Sequence, residues 1–155
     1  MSDADRALRP FIEADLEAIV ELWVAAWSES GFVVDFGARR AWLETRLRAF
    51  QAEGGLILVG LDAGARPAGF VTLDPKTGFL DQLCVAPSEF GSGLATALID
   101  AAKRKSRGVI ELEVNEANAR ARRLYEREGF AAVGRSVNLQ SGLPTLKMRW
   151  IAQGG

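Results

Sequence analysis

The chain has 155 residues, of which 48% are hydrophobic and 25% are charged, and its formal net charge is −1. This length and balance are typical of a soluble globular protein, so we predict a single domain over residues 1–155. The near-neutral charge argues against nucleic acid as a partner, because binding along a phosphate backbone usually shows as a basic excess.

The numbers of histidine and cysteine residues exclude several kinds of functional site. The chain has no histidine and a single cysteine, Cys84, which excludes an internal disulfide framework, histidine metal sites and nucleophiles activated by histidine. We therefore expect no metal site. No apolar run approaches the ~20 residues that cross a bilayer, and residues 1–9 are charged where a signal peptide would be apolar. We expect no membrane association and a cytoplasmic location.

The spacing of apolar residues predicts four helices and seven strands. In chain order they are a strand at 6–10, a helix from about 13, a loop at 28–37, a helix at 38–52, strands at 56–61, 68–73 and 79–85, a helix from about 93, a strand at 109–114, a helix at 118–128, and strands at 131–139 and 145–150. Antiparallel strands followed by crossover helices predict an α/β (α+β) fold, with a mixed, mostly antiparallel central sheet of about seven strands and four flanking helices.

A glycine-rich turn, Gly91-Ser92-Gly93, lies between the strand that ends at Val85 and the next helix. Free N–H groups at a helix N-terminus bind anions, and glycines let the backbone approach them, so the turn is a candidate phosphate site. A loop that only needs glycine backbone angles is the alternative.

Two other phosphate loops fit the turn less well. A Walker loop requires Gly-Lys-Ser/Thr, which the sequence lacks. A dinucleotide fingerprint would read Gly91-x-Gly93-x-x-Thr96, with Glu111 as the acidic partner. Glu111 lies inside its strand, however, and only one α/β crossover follows, which is too little for a dinucleotide fold.

Two motifs in the observed order resemble those of the GCN5-related N-acetyltransferase superfamily. The first is Val85-Ala86-Pro87 followed by Gly91-Ser92-Gly93-Leu94-Ala95 at the start of a helix. The second is Asn118, with Tyr125 seven residues later and Gly129-Phe130 close behind. The predicted element order also matches the family fold over nearly the whole chain. The resemblance implies the acyl-CoA N-acyltransferase fold, with acetyl-CoA as the co-substrate.

The resemblance also implies where acetyl-CoA binds. A V-shaped opening is expected between the strand that ends at Val85 and the strand that ends at Val114. The pantetheine arm would pair with the strand backbone in this opening, and the pyrophosphate would lie on the glycine turn. The implied acetyl-CoA-binding residues are Leu83, Val85, Gly91, Ser92, Gly93, Ala95, Thr96, Asn118, Ala121 and Tyr125.

One position departs from the family pattern. The basic or glutamine position of the loop is Phe90 here, or Ser88 in an alternative alignment, so a side-chain contact to the pyrophosphate is missing. Lys103, Arg104 or Arg122 could replace that contact. A solvated helix end also explains the basic residues at 103–107.

The resemblance gives Tyr125 the role of the acid that protonates the departing thiolate; the alternative is a core tyrosine on an amphipathic helix. An attacking amine must lose a proton, which makes Asp81 and Glu113 candidate bases. Each of these carboxylates could equally be a solvent-facing residue of the sheet. Cys84 could form an acyl-cysteine, although a single cysteine in a strand is more often a small buried hydrophobe.

We therefore predict an acyltransferase that moves the acetyl group of acetyl-CoA directly to a primary amine of a small molecule or peptide, as a monomer or homodimer. The alternative is an acyl-CoA-binding or sensor module without turnover. The segment between the first two helices carries residues that could line the acceptor pocket or belong to the core: Trp27, Phe32, Val33, Val34 and Phe36.

Overall fold

The computed structural model describes residues 7–29, 36–139 and 141–153 of the chain. Seven strands and four helices are present in these ranges. The strands are β1 (Leu8–Pro10), β2 (Leu56–Leu61), β3 (Pro67–Leu73), β4 (Leu80–Val85), β5 (Val109–Asn115), β6 (Ala131–Val137) and β7 (Pro144–Ile151). The helices are α1 (Leu16–Glu29), α2 (Phe36–Ala52), α3 (Leu94–Lys105) and α4 (Ala119–Arg127), and short 3-10 turns span Glu13–Asp15 and Pro87–Glu89.

The predicted element order is confirmed, and the differences are at the ends of elements. The helix expected from Glu13 opens with a 3-10 turn, because the Asp15 carboxylate accepts a hydrogen bond from the Ile12 N–H (2.9 Å) and pairs with Arg9. The strand predicted to reach residue 139 ends at Val137. The predicted contributions of Arg6, Phe32, Val33 and Val34 and of the Phe36 side chain lie outside the described residues.

The strands form two antiparallel sheets rather than one continuous sheet. The first has the order β1-β2-β3-β4 and the second has the order β5-β7-β6. In the described part of the chain, one parallel bridge between Phe79 and Glu111 connects them, where the Glu111 N–H donates to the Gly78 carbonyl at 2.9 Å. The α/β prediction is confirmed, and the mixed character of the sheet comes from this one parallel contact.

Two separate cores cover the faces of the β1–β4 sheet. On one face, α1 and α2 pack over β2 and β3 through buried residues such as Trp23, Leu43 and Phe70. On the other face, α3 and the β5–β7 sheet enclose a second core that includes Leu98 and Tyr125. Among the described residues, no helix combines the length and apolar character that crossing a bilayer requires.

The junction of the two sheets depends on a glycine. Gly78 has a φ of +81°, and a Cβ at this position would overlap the carbonyl oxygen of Val109 in β5. Only a residue without a Cβ allows the two main chains to approach this closely. The junction fixes β4 beside β5 at the start of both strands, and this determines the geometry of the cleft described below.

Gly78→Ala should lower the free energy of unfolding by more than about 3 kcal/mol, because it adds a backbone overlap to the cost of a positive φ. Gly54→Ala is a matched control, since Gly54 has a φ of +92° and a Cβ added there would meet nothing within 4 Å. That control should cost only about 1–2 kcal/mol. Urea unfolding measures both values, and equal losses would contradict the close approach of the sheets.

Candidate active site

A cleft of about 920 Å³ opens where β4 and β5 separate. The two strands meet only at the Phe79–Glu111 bridge, so their C-terminal halves are not paired with each other. The glycine turn, α4 and α1 form the remaining walls. This volume lies within the range of small-molecule and cofactor sites.

The edge of β4 that faces the cleft carries backbone groups at two predicted positions. Ala86 N–H donates to the Ala68 carbonyl of β3 at 2.8 Å, and Cys84 lies opposite Phe70. Hydrogen-bonding direction alternates along an antiparallel strand. The N–H and C=O groups of Leu83 and Val85 therefore point away from β3 and into the cleft.

The glycine turn has the backbone geometry that the sequence indicated. Gly91 and Gly93 have φ values of +80° and +93°, and Gly93 is the N-cap of α3. Ser92 is already used within the turn, because its N–H donates to the Glu89 carbonyl at 3.0 Å and its Oγ accepts from Leu94 N–H at 3.2 Å. Ser92 therefore shapes the turn, and it is not among the residues that line the cleft.

The first turn of α3 presents backbone donors to the cleft. The first N–H groups of a helix have no intrahelical partner, and those of Ala95 and Thr96 are in this position. Both residues line the cleft. The Thr96 hydroxyl donates to Glu128 at 3.3 Å, so a ligand would meet its N–H rather than its side chain.

Arg120 of α4 stacks on the phenylalanine that replaces the usual polar residue of the loop. Its guanidinium carbon lies 3.9 Å from the centroid of the Phe90 ring. Both residues line the cleft, so this contact brings a cation to the glycine turn from another element. Arg120 was not among the basic residues predicted from the sequence. Its helical spacing with Arg123 and Arg127, which also line the cleft, was the available signal.

The sequence suggested Lys103, Arg104 and Arg122 as replacements for the missing basic residue of the loop, but they do not line the cleft. Lys103 donates to the Glu128 carbonyl at 2.7 Å and lies over the Trp150 ring. Arg122 donates to the Glu116 carbonyl at 3.0 Å. None of the three, Arg104 included, is among the residues that line the cleft. The structure therefore does not place any of the three at the glycine turn, whereas Arg120 lies there.

Helix α4 places the predicted tyrosine in the cleft wall. Asn118 is the N-cap and accepts a hydrogen bond from Ala121 N–H at 3.2 Å, which fixes the first turn. Tyr125 is buried, its ring packs 5.6 Å from that of Phe130, and it lines the cleft together with Asn118 and Ala121. Burial, with the Cys84 sulfur nearby, raises the pKa of Tyr125 well above its ordinary value.

The two candidate bases have different surroundings. Both oxygens of Asp81 accept hydrogen bonds from the Arg46 guanidinium of α2, each at 2.9 Å, and the Asp81 side chain is only 10% exposed. Glu113 is exposed at the cleft and lies opposite Lys147 in β7. Asp81 would have to break a bidentate ion pair to take a proton, whereas Glu113 would not.

The opposite wall of the cleft is built from α1. Trp23 and Trp27 line it, and the Trp23 indole N–H donates to the Gln82 side chain of β4 at 3.3 Å. Thr145 of β7 also lines the cleft, and its Oγ1 is buried without a hydrogen-bond partner among the described residues. No sequence pattern distinguished Gln82 or Thr145 from ordinary strand residues.

Within the described part of the chain, no cluster of three or more cysteine, aspartate or glutamate side chains could hold a metal ion. Cys84 lies in the cleft wall and packs against the core formed by α1 and α2. Burial raises the pKa of the Cys84 thiol to about 12. At neutral pH this thiol is protonated and a poor nucleophile.

Cys84 should react slowly with iodoacetamide. At pH 8 about one free cysteine in four is a thiolate, against about one in ten thousand at a pKa of 12. We expect alkylation of the folded protein to be at least about 100-fold slower than that of free cysteine, and the unfolded protein in urea to react normally. Mass spectrometry measures both rates. Rapid alkylation of the folded protein would favour the acyl-cysteine alternative.

Comparisons with known proteins agree with this geometry. The family model described as the acetyltransferase (GNAT) family matches residues 16–130, which include the glycine turn and all of α4. The mycothiol acetyltransferase of Beutenbergia cavernae is 45% identical over 75 residues, which are 46% of this chain and 25% of that protein. The chain thus spans about a quarter of the length of this curated relative.

Solved structures show the same fold over nearly the whole chain. YjaB from Escherichia coli has a TM-score of 0.75 with 24% identity, covering 96% of this chain and 99% of that one. A GCN5-related N-acetyltransferase from Rhodopseudomonas palustris has a TM-score of 0.78 with 21% identity, covering 97% and 98%. Since the family model covers well over half of the sequence and the fold agrees, the chain belongs to the acetyltransferase (GNAT) family.

Proposed function

We propose that the protein transfers the acetyl group of acetyl-CoA directly to a primary amine of an acceptor bound in the same cleft. Membership of the family supports acetyl transfer in general. The observation that carries the specific proposal is that one cleft contains the glycine turn, the open edge of β4 and Tyr125. These three features provide an anion site, an extended backbone partner and a proton-bearing group.

The groups in the cleft suit the chemistry of acetyl-CoA. The N–H groups of Ala95 and Thr96 and the Arg120 guanidinium favour an anion at one end. The open backbone groups of Leu83 and Val85 favour an extended amide chain, since they can add hydrogen bonds as a neighbouring strand would. When bound, acetyl-CoA supplies an activated acyl group as a thioester.

Tyr125 holds a proton at its hydroxyl oxygen inside the cleft. Because burial raises its pKa, the phenol stays neutral at any pH where an amine acceptor would be used. It holds its proton more tightly than a thiol, whose ordinary pKa is ~8.5. We therefore infer that Tyr125 acts first by donating a hydrogen bond to negative charge that develops on the leaving sulfur.

Glu113 is the better placed of the two candidate bases. Its carboxylate is exposed at the cleft, whereas Asp81 is held in the ion pair with Arg46. We propose that Glu113 receives the amine proton, directly or through water. Asp81 instead holds Arg46 in place and connects β4 to α2.

The identity of the acceptor is a separate question. One curated relative is named for mycothiol, but that match covers less than half of this chain. The proposed acceptor class is therefore a primary amine on a small molecule or peptide. The alternative is an acyl-CoA-binding module without turnover. It is supported by the ion pair between Arg46 and Asp81, because this pair occupies one of the two candidate bases.

Calorimetry with acetyl-CoA tests the binding half of the proposal. The wild-type protein should bind, and Arg120→Gln should raise the dissociation constant about 10-fold and weaken its dependence on salt, as expected for loss of one charge-assisted contact to an anion. Arg104→Gln is the matched control, because Arg104 is exposed on α3 and does not line the cleft. No binding at millimolar acetyl-CoA would reject the proposed function.

Tyr125→Phe tests the catalytic half. The variant keeps the ring contact with Phe130 and loses the hydroxyl, so kcat should fall about 100-fold while acetyl-CoA affinity changes little. The wild-type rate should show no loss from tyrosine ionisation below pH ~10, since burial disfavours the charged phenolate. Thiol release with a panel of amines measures the rate. Unchanged kcat where chemistry limits the rate would remove the role of Tyr125, and no thiol release with any amine would favour the module without turnover.

A further inference from the structure

Three tryptophans surround one arginine side chain beside the cleft. Trp23 and Trp27 of α1 have ring centroids 5.9 Å apart in an edge-to-face arrangement, and Trp42 of α2 stacks 6.3 Å from Trp23. The Arg39 guanidinium carbon lies 5.9, 5.8 and 5.2 Å from the centroids of Trp23, Trp27 and Trp42. We call this set of three indoles the tryptophan cage. Indole faces attract cations through their quadrupole, and several faces around one point form a cation-binding site.

Part of the tryptophan cage borders the cleft. Trp23 and Trp27 line it, whereas Trp42 and Arg39 are not among its lining residues. The Trp23 indole N–H donates to Gln82, which precedes Leu83 on the open edge of β4. A group in the tryptophan cage would therefore be connected through the cleft to the position where the acyl group is transferred under the proposed function.

Within the described ranges, the contacts that hold the Arg39 guanidinium are those with the indoles. Among the described residues its guanidinium has no ion pair and no hydrogen bond. It also lies in the first turn of α2, where the positive end of the helix dipole disfavours a cation. The neighbouring arginines of α2 differ, because each has a carboxylate partner: Arg40 pairs with Glu17, Arg46 with Asp81, and Arg48 with Glu13.

We infer that the tryptophan cage is the cation subsite of the acceptor, and that it takes a guanidinium group which displaces Arg39. This inference rests on the proposed function and adds to it the chemical class of the acceptor: an amine that also carries a guanidinium. The side chain already in the tryptophan cage is a planar, weakly hydrated guanidinium, and such a cation stacks on aromatic faces better than a compact ammonium does. Arg39 occupies the subsite in the free protein and competes with the acceptor.

The charges around the tryptophan cage favour replacement of Arg39 by the acceptor cation over binding of a second cation beside it. Arg46 is neutralised by Asp81, so Arg39 is the unbalanced cation on this side of the cleft among the described residues. A second guanidinium beside Arg39 would meet like-charge repulsion. If Arg39 swings into solvent, where it can be hydrated, the acceptor cation takes its place and the local charge is unchanged.

A direct titration tests the subsite without any variant. Agmatine carries a primary amine and a guanidinium, and its urea analogue, 4-ureidobutylamine, has the same shape at that end without the charge. Three of the four tryptophans of the chain belong to the cage, so their fluorescence reports its occupancy. We expect agmatine to change the emission and to bind at least about 10-fold more tightly than the urea analogue. Equal affinity for the two compounds would overturn the inference.

Variants of Arg39 test the exchange. Arg39→Gln should lower the dissociation constant and KM for agmatine about 5-fold with kcat and acetyl-CoA affinity unchanged, because a tethered competitor has been removed. Arg39→Lys should lower both values less than Arg39→Gln does, since it keeps a cation in the cage, but one that stacks on the indoles less well than a guanidinium. Arg40→Gln removes the same charge from the next residue, which pairs with Glu17 outside the cage, and should leave agmatine binding unchanged. Weaker agmatine binding in Arg39→Gln would show that Arg39 supports the tryptophan cage structurally, and would overturn the exchange.

The two proposals fail differently. If acetyl-CoA does not bind, the proposed function fails, yet the fluorescence titration still decides whether the tryptophan cage takes a guanidinium. In the other case, acetyl-CoA binds and thiol is released with simple alkylamines, while agmatine binds no more tightly than its urea analogue. That result supports acetyl transfer and rejects the guanidinium subsite.

Discussion

The main chain at Gly78 lies against the carbonyl oxygen of Val109 because glycine has no Cβ, and this contact sets the angle between the two sheets. Beyond it, none of the described strands lies beside the edge of β4 or beside the facing edge of β5. An unpaired edge in a buried setting would leave polar groups unsatisfied. In this fold the unpaired edge faces a cleft, so the same groups remain available to water or to a ligand. The cleft is thus a direct result of joining two antiparallel sheets at one point.

Two cations held by aromatic rings lie at or beside the cleft. At the glycine turn, backbone N–H groups and the Arg120 guanidinium act together, and Phe90 serves as the surface on which the guanidinium rests. Beside the wall formed by α1, the Arg39 guanidinium lies among indole faces. In both places an aromatic ring positions a cation without neutralising it. The hydrogen-bond donors of Arg120 therefore remain available to an anion, whereas Arg39 holds a place that the proposed acceptor cation would take.

Local patterns predicted most of the fold and the donor half of the candidate site. Helical spacing placed Asn118, Ala121 and Tyr125 on one face, and the glycines at 91 and 93 indicated the turn before α3. The contacts that the sequence did not predict join elements far apart in the chain: Phe90 with Arg120, Arg46 with Asp81, and Arg39 with Trp23. Periodicity shows which side chains share a face, but it carries no information about which faces meet. The division into two sheets was missed for the same reason, since it depends on the approach of Gly78 to Val109.

The two cores on opposite faces of the β1–β4 sheet determine which amino-acid substitutions affect stability independently of one another. The α1–α2 core and the α3–α4 core share the sheet between them but few side chains. Free-energy effects of substitutions that are far apart and share no partner are close to additive. Changes in α1 and α2 can therefore alter the wall that contains the tryptophan cage without disturbing the packing beneath the glycine turn. Such an architecture lets a lineage exchange one ligand for another on one side of the molecule while the other side keeps its shape.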